Sequence, residues 1–512
     1  MKKIIAFAAV LMITIGCENI DFDDPTTLTN REASEVIKDL GYKLSKSAVQ
    51  NVFDQTTASI GMSLPIYADQ ITSTSNANGR RYFSEEPRIS LINNASHRMH
   101  FTLDGLYSGF YQANLDATIA IDIIENQGKK IYDNNGTDRT QDCLVAAYFT
   151  KGVSQGYLGV IFDRGIIVDN TTSSQRDFPD SYSQLVNNGI THLNKSIELA
   201  NSHTTLNFDF LQGITIERKT FIQLANSLAA RILSSLPRDN QEAAALGAPH
   251  WEKVLDYANK GLDKDYIIPT VSGGYYNAVL NGALTRNSGG VANADWVDIK
   301  IPYLADKTGS STNFHTYPDI PAQIVSDDQR FYEYFAFSKS LGSGQFPDRG
   351  PGIVSNYMRK RWYNAANTLD TPGALNPYFL TEELRLIKAE AKLWLKDHAG
   401  AAAELNNENS ARRLKGRLLK DIATDQASIV KALHYEYSIE IDLAGGIIVP
   451  FTFMRRHNLL IGGTPTELPV PQAQLELIKK EVYTFGGVEN FGRKGIHSEV
   501  GTAQNVGWKV SQ

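Results

Sequence analysis

The chain has 512 residues, 42% hydrophobic and 21% charged, which is enough apolar material for a sizeable core and unlike a disordered chain. Fifty Lys and Arg against 56 Asp and Glu leave a net charge of −6, which argues against a protein that binds nucleic acid by neutralising phosphates. Two cysteines exclude a disulfide framework and a four-cysteine zinc site, while 23 Tyr and 22 Phe suit wet binding surfaces as well as a core.

At the N-terminus, Lys2 and Lys3 precede the apolar run Ile4 to Gly16, which reads as a secretory signal because it is too short to cross a bilayer as a helix. Thr14-Ile15-Gly16-Cys17 resembles a bacterial lipobox, with Thr14 where an aliphatic residue is usual. Cys17 is therefore the expected lipidation site, after removal of residues 1–16. Several acyl chains on one cysteine would give a durable anchor. Glu18, Asp21, Asp23 and Asp24 follow closely. They read as a solvated tether and also resemble segments that export lipoproteins to the outer face of the outer membrane.

The body is rich in helical periodicity. Leu103, Leu106, Tyr107 and Phe110 begin a helix over Leu103–Ile124, stopped by Asn126-Gln127-Gly128. Ala146, Phe149, Val153 and Tyr157 keep helical spacing, as do Leu185, Ile190, Leu193 and Ile197 within Tyr182–Asn201. Phe221, Leu224, Leu228 and Ile232 form a stripe ending before Pro237, and Trp251, Val254, Leu255 and Ala258 form its partner. Leu384, Ile387, Ala391 and Trp394, followed by Ala399–Leu405, make a second such pair. A last helix is expected over Asp425–Leu443. Small residues at Ala229-Ala230 and Ala401-Ala402-Ala403 would let paired helices approach closely, as in degenerate tetratricopeptide-like hairpins. Two stretches break this regime: the polar, turn-rich Asp69–Ser96 and the long irregular Pro269–Pro377. Loops of that length in a compact protein are usually functional or disordered, and their many aromatics argue for order.

Several segments together resemble the SusD/RagB family of outer-membrane nutrient-binding lipoproteins. They are the lipobox-like Cys17, the helix Leu106-Tyr107-Ser108-Gly109-Phe110-Tyr111-Gln112-Ala113-Asn114, and the pair Ala225–Leu233 with His250-Trp251-Glu252-Lys253-Val254. Glu383-Leu384-Arg385-Leu386-Ile387-Lys388-Ala389-Glu390-Ala391 and Leu468-Pro469-Val470-Pro471 with Leu475 complete the set, in order over nearly the whole chain. A departure comes late, where Glu436-Tyr437, Glu440-Ile441 and Gly445-Gly446 replace the family's usual Glu-Arg and Glu-Gly-x-Arg pattern, with Arg455-Arg456 further on. The resemblance implies an all-α SusD-like fold: a tetratricopeptide-like scaffold over about 28–265 and 378–460, a loop-rich ligand-binding region over about 266–377, and an irregular C-terminal segment, 461–512. Residues 17–27 would be the tether. It further implies a surface-exposed lid on a SusC-like TonB-dependent transporter, one that captures oligosaccharides, or in some branches peptides, and does no chemistry itself.

Enzymatic readings find little support in the residues. His97 and His100 could reach one metal but have no evident third ligand, and no His-Glu-x-x-His is present. Asp133–Asp138 has its glycine misplaced for an EF-hand. Adjacent carboxylates at Glu85-Glu86 and Asp327-Asp328 do not by themselves make a glycosidase pair. No cofactor, metal or catalytic residue is expected, and Cys143 reads as a small core residue.

Sugars are bound by aromatic rings against their C–H faces and by Asn, Asp, Arg and Gln around their hydroxyls. The candidate ligand residues are accordingly Asn76, Asn78, Arg80, Arg81, Tyr82 and Phe83 in the first loop. Tyr275, Tyr276, Asp295, Trp296, Asp298, Tyr303 and Tyr317 are the candidates in the second. Trp251 and Trp394 lie on helix stripes and read as core. The expected function is capture of an oligo- or polysaccharide at the outer membrane, facing outward, for delivery to the transporter. Peptide capture is the alternative; a protein-binding scaffold and a secreted glycosidase rank lower.

Overall fold

A computed structural model describes residues 30–57, 62–76, 79–169, 178, 180–269, 296–308, 323–341, 345–349, 353–362, 375–495, 500–505 and 507–509. Cys17 and the expected leader and tether lie outside the described residues. Long helices dominate, and the paired strands are short two-stranded ribbons.

The first layer packs α1 (Asn30–Thr57) against α2 (His100–Ile121) and α3 (Thr140–Ile161), and α3 against α4 (Tyr182–Ser202). The α2 helix begins three residues earlier than the apolar pattern predicts and ends in one π-type turn, Asp122–Asn126. The tightest crossing is made by glycine: a Cβ on Gly189 of α4 would stand 2.6 Å from the backbone nitrogen of Gly156 on α3. Gly152 and Gly159 flank that contact, so the two backbones meet with no side chain between them. The α4 helix starts on a capping box, with Ser181 accepting from Gln184 N and the Gln184 side chain accepting from Ser181 N.

Next come two helical hairpins, α5 (Arg218–Ser234) with α6 (Gly247–Asn259) and α7 (Thr381–Trp394) with α8 (His398–Asn406). Trp251 of α6 is fully buried, donates from Nε1 to the Ala243 carbonyl at 2.8 Å, and stacks on Trp394 at 5.6 Å. Trp394 in turn stacks on His457 at 5.2 Å, just beyond α10 (Val449–Arg456). Ala229, Ala230, Ala401 and Ala402 are buried on the hairpins, as their size predicts. The α9 helix, Gln426–Ile439, is shorter than the expected Asp425–Leu443: Asp425 is its N-cap, and the chain turns after Ile439 until Leu443 adopts a positive φ of 52°.

Charges in the family-like segments join these elements from inside. Arg231 of α5 makes a bidentate pair with Glu383 of α7, both bonds 2.6 Å and both residues buried. Arg456 pairs in the same way with Glu390, which also accepts from His457 at 2.8 Å. Burial raises the Glu390 carboxyl, but Arg456 and His457 overcome that and hold it down at about 2. Cys143 is buried in the core, which pushes its thiol up to about 12.

The described part of the loop-rich region has its own smaller core, built from Val297, Ile299, Ile301, Phe331, Tyr334, Phe335 and Tyr357 and reaching α9 at Ile439. Beside it lies a buried charge network. Arg330 is fully buried and pairs with Asp328 and Glu436, approaching Glu440 at 3.4 Å. Glu440 also takes Arg361 at 2.6 Å and Lys415 at 2.9 Å. Burial raises its carboxyl, yet Arg361, Arg330 and Lys415 together bring it to about 2.

Candidate ligand-binding groove

The first-loop candidates are drawn into the structure more than onto its surface. Gly79, at φ 78°, sits where a Cβ would meet Met99 backbone atoms at 2.9 Å, so the loop folds directly onto residues 98–99. A short helix, Arg80–Ser84, follows. Phe83 is fully buried, edge-on to Tyr67 at 5.2 Å, and has no surface to offer a ligand. Arg80 is likewise buried. Arg81 pairs with Glu85 at 3.1 Å, and Tyr82, half-buried, meets His97 edge-on at 4.6 Å. Asn76 is half-buried, its side-chain oxygen shielded from solvent with no hydrogen-bond partner. Asn78 lies outside the described residues.

Of the second set, Tyr275, Tyr276, Asp295 and Tyr317 lie outside the described residues. Trp296 is buried and its strand, Trp296–Val297, pairs antiparallel with Ile71–Thr72. This pins the second loop to the first. Asp298 is also buried, accepting from Lys300 N at 2.8 Å; burial raises its carboxyl, and the neighbouring Asp69 adds to the rise. Tyr303 packs edge-on against Trp508 at 5.2 Å, and the Trp508 Nε1 donates to Asp69, the partner of Arg88. The structure thus brings Trp296, Asp298 and Tyr303 to one junction near the C-terminal Trp508.

Open volume appears elsewhere, in a groove of about 760 Å³ lined by three chain segments. Ser90 to Asn94 form one wall, Arg164 and Phe178 a second, and Leu475 with Lys480–Thr484 and Arg493 the third. The volume is within the range of small-molecule sites. The walls are held from behind. Asn93 donates to the carbonyls of Val470 and Tyr483 and accepts from Gln472 N, and Leu91 N donates to Phe485 O. These bonds join positions more than 370 residues apart, which is why no local pattern announces them.

Beneath the groove, the Tyr483 hydroxyl bonds to the carboxylate of Asp163 at 2.9 Å. Asp163 follows the C-terminus of α3 and is fully buried; burial raises its carboxyl to about 7 against the pull of Tyr483 and of Arg164 and Arg238. Close by, Glu467 is buried with neither carboxylate oxygen hydrogen-bonded, Arg238 Nε lying 3.4 Å away, and its carboxyl rises to about 8 through burial. Arg238 and Arg455 spend their guanidinium donors on backbone carbonyls: Gly159 and Phe162 for Arg238, Pro237 and Ser235 for Arg455, Val160 for both. They satisfy the last carbonyls of α3 at its buried C-terminal end, in place of a glycine cap. Sequence reasoning reached Leu468-Pro469-Val470-Pro471 as a family-like segment, but not the groove that it helps to frame. Among the described residues, no group of His, Cys, Asp and Glu is arranged to hold a metal, and no helix is long and apolar enough to cross a membrane.

No protein-family model matches this sequence, and no curated protein does. Solved structures share its fold. A SusD superfamily protein from Parabacteroides distasonis superposes with a TM-score of 0.57 at 12% identity, covering 88% of this chain and 98% of its own. This chain has the SusD fold. A SusD homolog from Bacteroides thetaiotaomicron gives 0.55 at 14% identity, over 90% of this chain and 100% of its own. A structure from Bacteroides vulgatus described as a SusD-like carbohydrate-binding protein gives 0.54 at 13% identity, over 83% and 86%. The all-α SusD architecture expected from the sequence is therefore the architecture found, and the residues that prompted it (Arg231, Glu383, Glu390 and Trp251 among them) prove to be its internal joints.

Proposed function

We propose that this chain is a SusD-family nutrient-binding lipoprotein, anchored through Cys17 to the outer membrane and facing outward. There it captures an oligo- or polysaccharide and passes it to a SusC-like TonB-dependent transporter. The observation that carries this reading is the SusD fold along nearly the whole chain, shared with a protein described as carbohydrate-binding. The groove beside Arg164 and Tyr483 supports it, with a volume suited to a short oligosaccharide and walls of mixed polar and apolar residues fixed by long-range hydrogen bonds. The protein binds and transfers, with no bond made or broken.

Calorimetric titration of the protein beginning after Cys17, against neutral and acidic polysaccharides and mixed peptides, tests this. The same mixtures are assayed for released sugar. Saturable binding to a glycan without hydrolysis is the expected result. Binding to peptides alone would transfer the reading to peptide capture, and sugar release would overturn the assignment as a binding protein. For the anchor, Cys17→Ser is expected to move the protein from the membrane fraction to the soluble fraction.

A further inference from the structure

The groove's charge runs against that of the chain. The whole sequence carries −6, yet the lining holds three cationic side chains, Arg164, Lys480 and Arg493, and one anionic, Glu481. The cations come from separate parts of the chain. Arg164 stands on a short strand, Arg164–Gly165, just after α3 and paired with Asp180–Ser181. Lys480 sits on the turn that ends the helix Gln472–Leu477, next to Lys479 at φ 58°. Arg493 follows the Val488–Asn490 turn and is oriented by Asn490, whose side-chain oxygen accepts from its Nη1 at 3.2 Å. Two distant regions, Arg164 after α3 and Lys480 with Arg493 near the C-terminus, thus bring positive charge to one concave surface.

Among the described residues, two nearby acids are engaged elsewhere. Glu489 is engaged at the rim by Ser90 Oγ at 2.5 Å and by Asn490 Nδ2 at 3.3 Å, and it does not line the groove. Asp163, under the floor, accepts from the Tyr483 hydroxyl, and burial raises its carboxyl to about 7. Screening limits charge effects to about 8 Å at physiological ionic strength, so a ligand in the groove responds to these cations more than to the remote net charge. The lining supplies what a sugar ring needs besides charge: Ile92, Val482 and Tyr483 give apolar surface, while Ser90, Asn94 and Thr484 are polar neighbours along the walls. The adjacent Arg80 and Arg81 of the first loop do not form a second exposed pair of cations, since Arg80 is buried and Arg81 is joined to Glu85.

We propose that this groove selects acidic glycans, holding the carboxylates of uronate-bearing oligosaccharides with Arg164, Lys480 and Arg493. The inference rests on the reading of the chain as a glycan-capture protein and narrows its ligand class. Arg164, half-buried and fixed on a strand, is the more rigid contact, and its planar fork suits a carboxylate. Lys480 and Arg493 are exposed and close over the ligand from the C-terminal wall.

The test is calorimetry on the protein beginning after Cys17, at low and at physiological salt. The probes are galacturonate, glucuronate and mannuronate oligosaccharides, each beside its carboxyl-reduced neutral counterpart, with poly-glutamate as a peptide control. The acidic member of at least one pair is expected to bind about tenfold or more tightly than its neutral counterpart, an advantage that shrinks with salt. Lys480→Gln with Arg493→Gln, both at exposed positions, should remove about tenfold or more of that acidic affinity and leave the melting temperature unchanged. Glu481→Gln should tighten acidic binding a few-fold, a gain that damage to the fold would not produce. Reduced and acidic members binding alike, or acidic binding indifferent to the double substitution, would overturn the inference and leave glycan capture standing. Binding to none of the glycans, or to poly-glutamate alone, would overturn both.

Discussion

The helical scaffold and the loop-rich region both contain buried arginine–carboxylate pairs, but these pairs stand in different surroundings. In the scaffold, Arg231–Glu383 and Arg456–Glu390 lie within a continuous apolar core, the second beside the Trp251–Trp394–His457 stack. Removing one pair there leaves the helices with all their other contacts. In the loop-rich region the smaller core is assisted by Arg330 with Asp328, Glu436 and Glu440, by Arg361 with Glu440, and by Arg359 with Asp442 and the Gln70 carbonyl. Ion pairs are directional and costly to leave unmet. They can fix irregular chain in one place where periodic packing is missing.

Equivalent substitutions in the two regions should therefore fail differently. Arg330→Ala strands Asp328, Glu436 and part of Glu440's coordination in a dry interior, a defect of about 3–5 kcal/mol. The expected signature is local: faster hydrogen exchange over 323–341 and 353–362, with α3 to α6 still protected. Arg231→Ala should cost a similar amount but lower the protection of α5 and α7 with the global transition. Identical exchange patterns in the two variants would break the distinction.

A smaller effect tests the scaffold's dependence on close backbone approach. Gly189→Ala places a methyl 2.6 Å from Gly156 N and 2.7 Å from Gly152 O, both backbone atoms that cannot rotate away. The two helices must separate, at about 1–3 kcal/mol, with a uniform fall in melting temperature and an unchanged exchange pattern in the loops. Survival at the parental melting temperature would show that the crossing has slack.

Much of the scaffold was legible because a helix repeats its burial every three or four residues, so Phe221, Leu224, Leu228 and Ile232 declare their face. The family-like segments were legible for a second reason: Arg231, Glu383 and Glu390 are specified by one another. Other features were hidden. The α3–α4 contact rests on glycines, which carry no hydropathy signal. The early end of α9 reflects Glu440 and Asp442 turning to meet Arg361 and Arg359, partners about 80 residues away. Aromatic and polar character on loops suits a buried joint as well as a ligand, and Phe83, Trp296 and Asp298 serve as joints here. The groove was not legible because its walls meet only through hydrogen bonds such as Asn93 to Tyr483.

A pH dependence separates these two regions from the C-terminal wall of the groove. Glu390 in the scaffold and Glu440 in the loop-rich region are held at about 2, below the ~4.3 of an unfolded glutamate. Between those values the unfolded chain binds more protons than the folded one. Their stabilisation is therefore complete above about pH 5 and is lost as the pH falls towards 2. Asp163 and Glu467 have the opposite sign. Burial raises them to about 7 and about 8, so from about pH 4 upward the folded chain holds the extra protons, and stability declines as the pH rises through those values. Glu467 faces Arg238, Arg455, Asp163 and Glu242, and none of them donates a hydrogen bond to its carboxylate. Denaturation followed across the pH range should show greatest stability near pH 5, and hydrogen exchange at pH 8–9 should rise first in 464–485, where Tyr483 lines the groove. Glu467→Gln, which cannot ionise, is expected to be neutral at pH 5 and stabilising at pH 8–9. An alkaline decline of the same size in that variant would show that Glu467 stays protonated or finds a partner as it ionises, and would return the loosening to Asp163 alone.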